Sequence, residues 1–217
     1  MKHVKLIVLD LDGTLIDTSS KGIYKIETNL GTLMLTPRPH LQEFLNYCFD
    51  NFNVGIYTAA TRPYALDVLK IILNDSHFSK IKFLKCYDNC SRRVSNEIKG
   101  EFNDGDNYII YKPLKSIWNK NIGRKNGWTK DNTLIIEDTP ETCIKNYGNA
   151  IYVPSFKYYK KDDTLKNLIY FIKHIETVGK IRSLEKRKWS QTNWKMNQYQ
   201  FKLVLILVVI ISIKLWC

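Results

Sequence analysis

Acidic side chains are scarce in this chain: 21 Asp and Glu stand against 33 Lys and Arg, for a net charge of +12. A surplus of that size points to anionic partners such as a phosphorylated protein, nucleic acid or a membrane surface. It is concentrated late in the chain, with 12 Lys/Arg against 4 Asp/Glu between Lys157 and Lys202. The first 156 residues are therefore only mildly basic. Cysteines number five, so they cannot all pair, and no secretory signal is read at the start. A reduced, intracellular setting is the expectation. Cys86 and Cys90 form a single C-x-x-x-C, but structural zinc needs four ligands and only two are in view. The reading is one buried thiol and one loop thiol. The four histidines (His3, His40, His77 and His174) lie away from the expected strand ends and are assigned no role.

Long apolar runs are missing too. The nearest to one is FKLVLILVVIISIKLWC at 201–217, whose stretch Leu203–Ile213 has 11 residues, Ser212 among them. A spanning helix needs about 20. Lys202 and Lys214 could snorkel and Trp216 could sit at an interface, which extends the usable length to the chain end. Residues 201–217 are therefore expected to be a hydrophobic tail that anchors the chain to a membrane, with burial as a core element the other reading. Residues 179–200 read as a basic linker, either solvated or, with the rest of 157–217, drawn to an anionic membrane surface. Trp189, Trp194 and Tyr199 among its lysines equally suit stacking on nucleic acid.

What remains is a chain of 217 residues with ordinary hydrophobic (44%) and charged (25%) content, enough for one well-cored domain expected over 1–178. VKLIVL (4–9), NVGIYT (53–58), KIKFLKCYD (80–88), YIIYK (108–112), NTLIIED (132–138) and AIYVP (150–154) read as strands. Between them come helical patterns from Pro39 to about Asn51, over 62–74, in PLKSIWNK (113–120) and over 163–177. Strands alternating with helices predict an α/β fold, a Rossmann-like three-layer sandwich with a mostly parallel central sheet. GIYKIETNLGTLML (22–35) reads as a hairpin around Asn29-Leu30-Gly31, a flap over about 18–36, and 89–107 as a polar insertion. Neither is long enough for a lid domain.

In VKLIVLDLDGTLID an apolar strand ends on Asp10 and Asp12, two acids that repel each other unless a cation or a reaction justifies them. In an open parallel sheet, ligands bind outside the carboxyl ends of the strands. Asp10 and Asp12, Thr58, Lys112, and Glu137 with Asp138 all stand at such ends. Carboxylates Asp10, Asp12 and Asp138 with Lys112 suit Mg2+ and a phosphate, since Mg2+ takes oxygen ligands, one or two of them carboxylates. Asp10 can then act as a nucleophile that forms an aspartyl-phosphate. Asp12 can protonate the leaving oxygen and later activate water. Thr58 offers a hydroxyl to the phosphoryl oxygens. Gly13 lets the backbone turn closely under the site, where nearby N–H groups could bind phosphate.

The run Asp10-Leu11-Asp12-Gly13-Thr14 resembles the first motif of the haloacid dehalogenase superfamily, and Thr58, Lys112 and Glu137-Asp138 match its second, third and fourth. PRPHLQEFL (37–45), VGIYTAATRPYA (54–65) and LIIEDTP (134–140) resemble, more narrowly, the FCP/SCP-type phosphatases of the RNA polymerase II carboxy-terminal domain. The resemblance covers roughly residues 4–156. It implies an Mg2+-dependent protein serine/threonine phosphatase with Asp10 as nucleophile and Asp12 as acid/base, its backbone carbonyl also on the metal. Asp138 would be the further metal ligand, and Thr58, Lys112 and Thr14 the phosphate contacts. Arg62 would position its loop or serve structure alone. The chain departs from the narrower family at Gly13, at Pro113 after Lys112, and at Glu137 where Asp is usual. A polynucleotide 3′-phosphatase, or a catalytically silent membrane-tethered binding module, stay open as alternatives. An open site suits a substrate too large to enclose, such as a phosphorylated protein with polymerase-tail-like repeats or a nucleic-acid end.

Overall fold

Aliphatic runs bounded by turn residues build the centre of the molecule, and the computed structural model describes residues 5–19, 21–28, 31–94 and 108–190. In chain order the elements are β1 (Leu6–Leu9), β2 (Ile16–Ser19), β3 (Tyr24–Thr28), β4 (Gly31–Pro37), α1 (Leu41–Asn51), β5 (Asn53–Tyr57), α2 (Arg62–Ile72), α3 (Asp75–Lys80) and β6 (Leu84–Lys85). They continue with β7 (Ser91–Val94), β8 (Tyr108–Tyr111), α4 (Lys115–Trp118), α5 (Asn121–Asn126), β9 (Thr133–Glu137), β10 (Ala150–Tyr152) and α6 (Thr164–Thr177). Five strands form one parallel sheet in the order β10-β9-β1-β5-β6.

β1 is buried along its whole length, and its two faces feed two cores. Ile7 and Leu9 pack with Phe44, Leu45 and Cys48 of α1, Val68 and Leu69 of α2, and Leu168 and Ile172 of α6. Leu6 and Val8 pack on the other side with Tyr57, Ile117, Trp128 and Ile135. That two-residue alternation is the pleat of a strand covered on both faces, and it yields the expected three-layer α/β fold.

Several elements differ from the sequence reading. YIIYK is not a strand of the central sheet. β8 pairs antiparallel with β7 in a separate two-stranded ribbon, and an apolar run alone cannot tell which partner a strand will take. KIKFLKCYD yields only the two-residue edge strand β6, because Lys80 closes α3 and the lysines at 82 and 85 suit a sheet margin and not its interior. The flap hairpin β3–β4 gains a third strand, β2, in the order β2-β4-β3. Helix α1 begins at Leu41, after His40 at φ 64°, so Pro39 precedes the first turn instead of lying in it.

Residues 179–190, read as linker, lay Ile181 (0% exposed) and Trp189 (4%) into the core. The indole N–H of Trp189 donates to the Tyr152 carbonyl (2.9 Å), so this ring is not free to stack on a nucleic acid. No helix among the described residues is long and apolar enough to cross a membrane. The tail at 201–217, together with Trp194, Tyr199 and residues 95–107 of the insertion, lies outside the described residues.

Candidate active site

β1 runs in register between β9 and β5, with Leu9 beside Ile136 on one side and Ile56 on the other. The carboxyl ends of all three strands therefore lie at the same edge of the sheet: Asp10 just past β1, Glu137 at the end of β9 with Asp138 after it, and Thr58 just past Tyr57. The Asp10 N–H still donates to the Ile136 carbonyl (3.2 Å), which ties the start of the loop to β9. Lys112 arrives from the β7–β8 ribbon and not from the sheet. Its N–H donates to the Thr142 carbonyl (2.7 Å), and its Nζ reaches Asp10 Oδ1 (2.5 Å) and Glu137 Oε2 (2.6 Å). Four of these residues, Asp10, Thr58, Lys112 and Glu137, are almost wholly removed from solvent.

Charge buried in this way must be balanced locally. Asp10, Glu137 and Asp138 offer three carboxylate oxygens within 4.8 Å of one another, and only one ammonium group sits among them. Burial pushes the Asp10 carboxyl up to about 6 against the pull of Lys112. Burial and the neighbouring Asp10 push Glu137 up to about 8. Burial alone would lower the pKa of Lys112, but the two carboxylates outweigh it and raise that pKa. The cluster is short of positive charge and offers only oxygen donors, the donor set a hard divalent cation prefers. The side chain of Asp12 stands apart from it. Its Oδ1 accepts from Tyr64 Oη (2.5 Å) and Thr18 Oγ1 (3.4 Å), so α2 and the flap together hold it. Burial raises its pKa, and those hydrogen bonds offset part of the rise.

The loop between these acids is compact. The N–H groups of Thr14, Leu15 and Ile16 all donate to the Leu11 carbonyl, and that of Gly13 to Ile16. These four amides are hydrogen-bonded within the turn. Thr14 Oγ1 donates to Asp138 Oδ1 (3.4 Å). Gly13 has φ +74°, and a Cβ there would lie 2.2 Å from Asp138 Oδ2. Only glycine allows both the turn and the approach. Thr58 Oγ1 accepts from the Ala60 N–H (3.0 Å), which leaves its own proton to donate.

Asp10, Lys112, Asp138 and Thr14 thus converge, Asp12 stands beside them, and Thr58 follows the neighbouring strand. Arg62 is placed elsewhere. It is exposed, and its guanidinium donates to the Leu84 carbonyl (3.4 Å). Sequence reasoning did not anticipate the Glu137–Lys112 pair or the Tyr64 contact to Asp12. The signal was present in LIIED, whose Glu137 ends a strand buried on both faces, where a carboxylate needs a partner. Cys86 is buried, Cys90 is half-buried and both are free, as read. Neither belongs to a metal-capable cluster among the described residues.

Comparison with known proteins gives a consistent result. The family model described as NLI interacting factor-like phosphatase matches residues 5–182. An uncharacterized FCP1 homology domain-containing protein of Schizosaccharomyces pombe is 28% identical over 192 residues, 82% of this chain and 73% of its own length. A CTD phosphatase-like protein of Invertebrate iridescent virus 6 is 31% identical over 175 residues, 73% of this chain and 90% of that one. Among solved structures, that of Fcp1, an essential RNA polymerase II CTD phosphatase, aligns with TM-score 0.49 at 17% identity, over 86% of this chain and 47% of that one.

Proposed function

From the premise that the chain belongs to the NLI interacting factor-like phosphatase family, and so is a phosphoric monoester hydrolase, we propose that it is an Mg2+-dependent protein serine/threonine phosphatase working through an aspartyl-phosphate on Asp10. The observation that carries this reading is the position of Lys112, whose Nζ bridges Asp10 Oδ1 and Glu137 Oε2 at the edge of β1 and β9. Lys112 holds the nucleophile by one oxygen and leaves the other to attack phosphorus. Asp10 and Asp138, with the Asp12 carbonyl, would hold Mg2+, which when bound supplies the positive charge that lets a phosphate dianion approach three acids.

In the first half-reaction a carboxylate oxygen of Asp10 forms a bond to phosphorus as the ester P–O bond breaks. The leaving serine or threonine oxygen takes a proton from Asp12. In the second, Asp12 takes a proton from water, the water oxygen bonds to phosphorus, and Asp10 departs with its carboxylate restored. Partners of Asp12 converge on Oδ1, which frees Oδ2 for this proton traffic. Thr58 and Lys112 donate to the phosphoryl oxygens, where charge develops. The flap is one three-stranded sheet and the β7–β8 ribbon has two strands. Neither amounts to a lid domain among the described residues, which suits a phosphorylated protein segment, and the positive charge of the chain favours one with acidic or multiply phosphorylated surroundings.

The test offers the full chain phosphoserine peptides and 3′-phosphorylated DNA side by side, with Mg2+ or EDTA, and reads phosphate release. Peptide turnover that is lost with EDTA and in Asp10→Asn is the expected result. Turnover of DNA alone would keep the chemistry and overturn the substrate. Folded wild-type protein inert toward both would overturn the reading.

A further inference from the structure

We propose that Arg38 is a positioning residue for the loop that carries Asp10 and Asp12, an inference that rests on reading those two as the reacting carboxylates. Arg38 is 1% exposed, and a buried guanidinium costs several kcal/mol unless its charge and donors are matched. Here they are matched in full. Nε donates to Asp162 Oδ1 (3.0 Å), and Nη2 to Asp162 Oδ2 (2.7 Å) and the Pro154 carbonyl (2.8 Å). Nη1 donates to the carbonyls of Gly13 (3.3 Å) and Thr14 (3.0 Å). All five N–H groups of the fork have acceptors, a set that lysine with three donors on a point charge cannot reproduce.

The backbone strengthens the same clamp. The Arg38 N–H donates to the Leu15 carbonyl (2.9 Å), and the Phe156 N–H to the Gly13 carbonyl (2.7 Å). The guanidinium itself lies over the Phe156 ring, 5.5 Å from its centre. Residues 13–15 are therefore gripped by Arg38 and by the segment 154–162, whose Ser155 lies beside Asp138 next to Gly13.

The loop it grips stands between two catalytic positions. Gly13 follows Asp12 directly and is wedged against Asp138, and Thr14 donates to Asp138. If the Gly13 and Thr14 carbonyls lose their donors, the turn relaxes. Asp12 and Asp138 then shift against Asp10, and misplacement on the order of 1 Å is enough to cost about a hundredfold in rate. The phosphate contacts expected of Thr58 and Lys112 follow β5 and β8, to which none of these Arg38 hydrogen bonds runs, and the Thr14 hydroxyl, the third expected contact, is turned to Asp138 instead. The effect belongs in kcat and not in KM.

Two substitutions separate positioning from plain structural support. Arg38→Lys keeps a cation for Asp162 but gives up the carbonyl contacts. Asp162→Asn keeps the carbonyl contacts but gives up the charge pair. The measurements are kcat and KM of the full-length protein on a phosphoserine peptide with Mg2+, and Tm for each variant. Arg38→Lys is expected to lower kcat by about 10- to 100-fold with KM within about threefold. Asp162→Asn is expected to lower kcat only a few-fold although its Tm falls at least as far. If both variants lose Tm while kcat stays at the wild-type value, Arg38 is structural and the inference is overturned. Should Arg38→Lys fail to fold, Arg38→Gln with Asp162→Asn removes both charges together and leaves no unpaired buried ion. That double variant must show the same fall in kcat at unchanged KM. Folded wild-type protein without turnover would instead sink the phosphatase reading, and the inference with it, before any variant is compared.

Discussion

At the scale of single residues, the site is set by close approach and by unbalanced charge. Gly13→Ala would put a methyl 2.2 Å from Asp138 Oδ2 at φ +74°. It is expected to lower turnover by at least about a hundredfold and stability by about 1–2 kcal/mol; phosphate release and a urea melt check the two separately. The charge shortage gives a pH signature. Glu137 is raised to about 8 by burial and by Asp10, above the about 4.3 of an unfolded chain. In that interval the native state holds the proton more tightly than the unfolded state, so the contribution is complete below about pH 4.3 and is lost as pH rises through about 8. Urea melts in EDTA between pH 5 and pH 8.5 should show stability falling with pH, and Glu137→Gln should flatten the slope. The acids at strand ends were legible because their burial needs a chemical reason. The guanidinium of Arg38 was not, since its acceptors are backbone carbonyls and Asp162, which lies 124 residues away in the chain and has no local pattern to betray it.

At the scale of elements, the central sheet was readable and its margins were not. LIVL and TLIIE are buried on both faces, and such continuous apolar runs admit few other roles. β8 carries an equally apolar run, YIIY, but only its pairing with β7 decides where it sits, and pairing is a long-range fact. The start of α1 is similar. His40 adopts φ 64° there, the one positive-φ residue other than glycine among those described. A side chain in that region costs about 1–2 kcal/mol, and the imidazole there stands 3.7 Å from Glu43 and 3.4 Å from Asp163. His40→Gly is therefore expected to change stability by less than about 1 kcal/mol. His40→Val, β-branched and without those contacts, should lose more than about 1 kcal/mol. Thermal melts of the two variants side by side read the difference, and equal losses would put the cost in the lost contacts and not in the backbone.

At the scale of the whole molecule, the basic C-terminal portion begins with a stretch that packs into the fold. By composition it reads as linker, because Lys180, Arg182, Lys186, Arg187 and Lys188 look like solvated charge. Yet Lys186 is 7% exposed, its Nζ donating to the Ile181 and Leu184 carbonyls at 2.8 and 2.6 Å. The Ile181 N–H donates to the Asp131 carbonyl (2.7 Å), and Trp189 packs against Phe171 of α6. This stretch covers α6 and the edge beyond β10, so it belongs to the same cooperative unit as the sheet. Each large apolar side chain fully buried contributes about 1.5–3 kcal/mol, and two are at stake. A chain shortened to end at Val178 should therefore be less stable than one ending at Ser190 by about 3–6 kcal/mol, a large share of a typical folding free energy of about 5–15 kcal/mol. Urea midpoints of the two chains, with unchanged m-values, give the comparison. Because α6 begins just past Asp162, the partner of Arg38, the shorter chain should also lose turnover before it loses its fold. Equal midpoints would mean that 181–189 rests on the surface without supporting it.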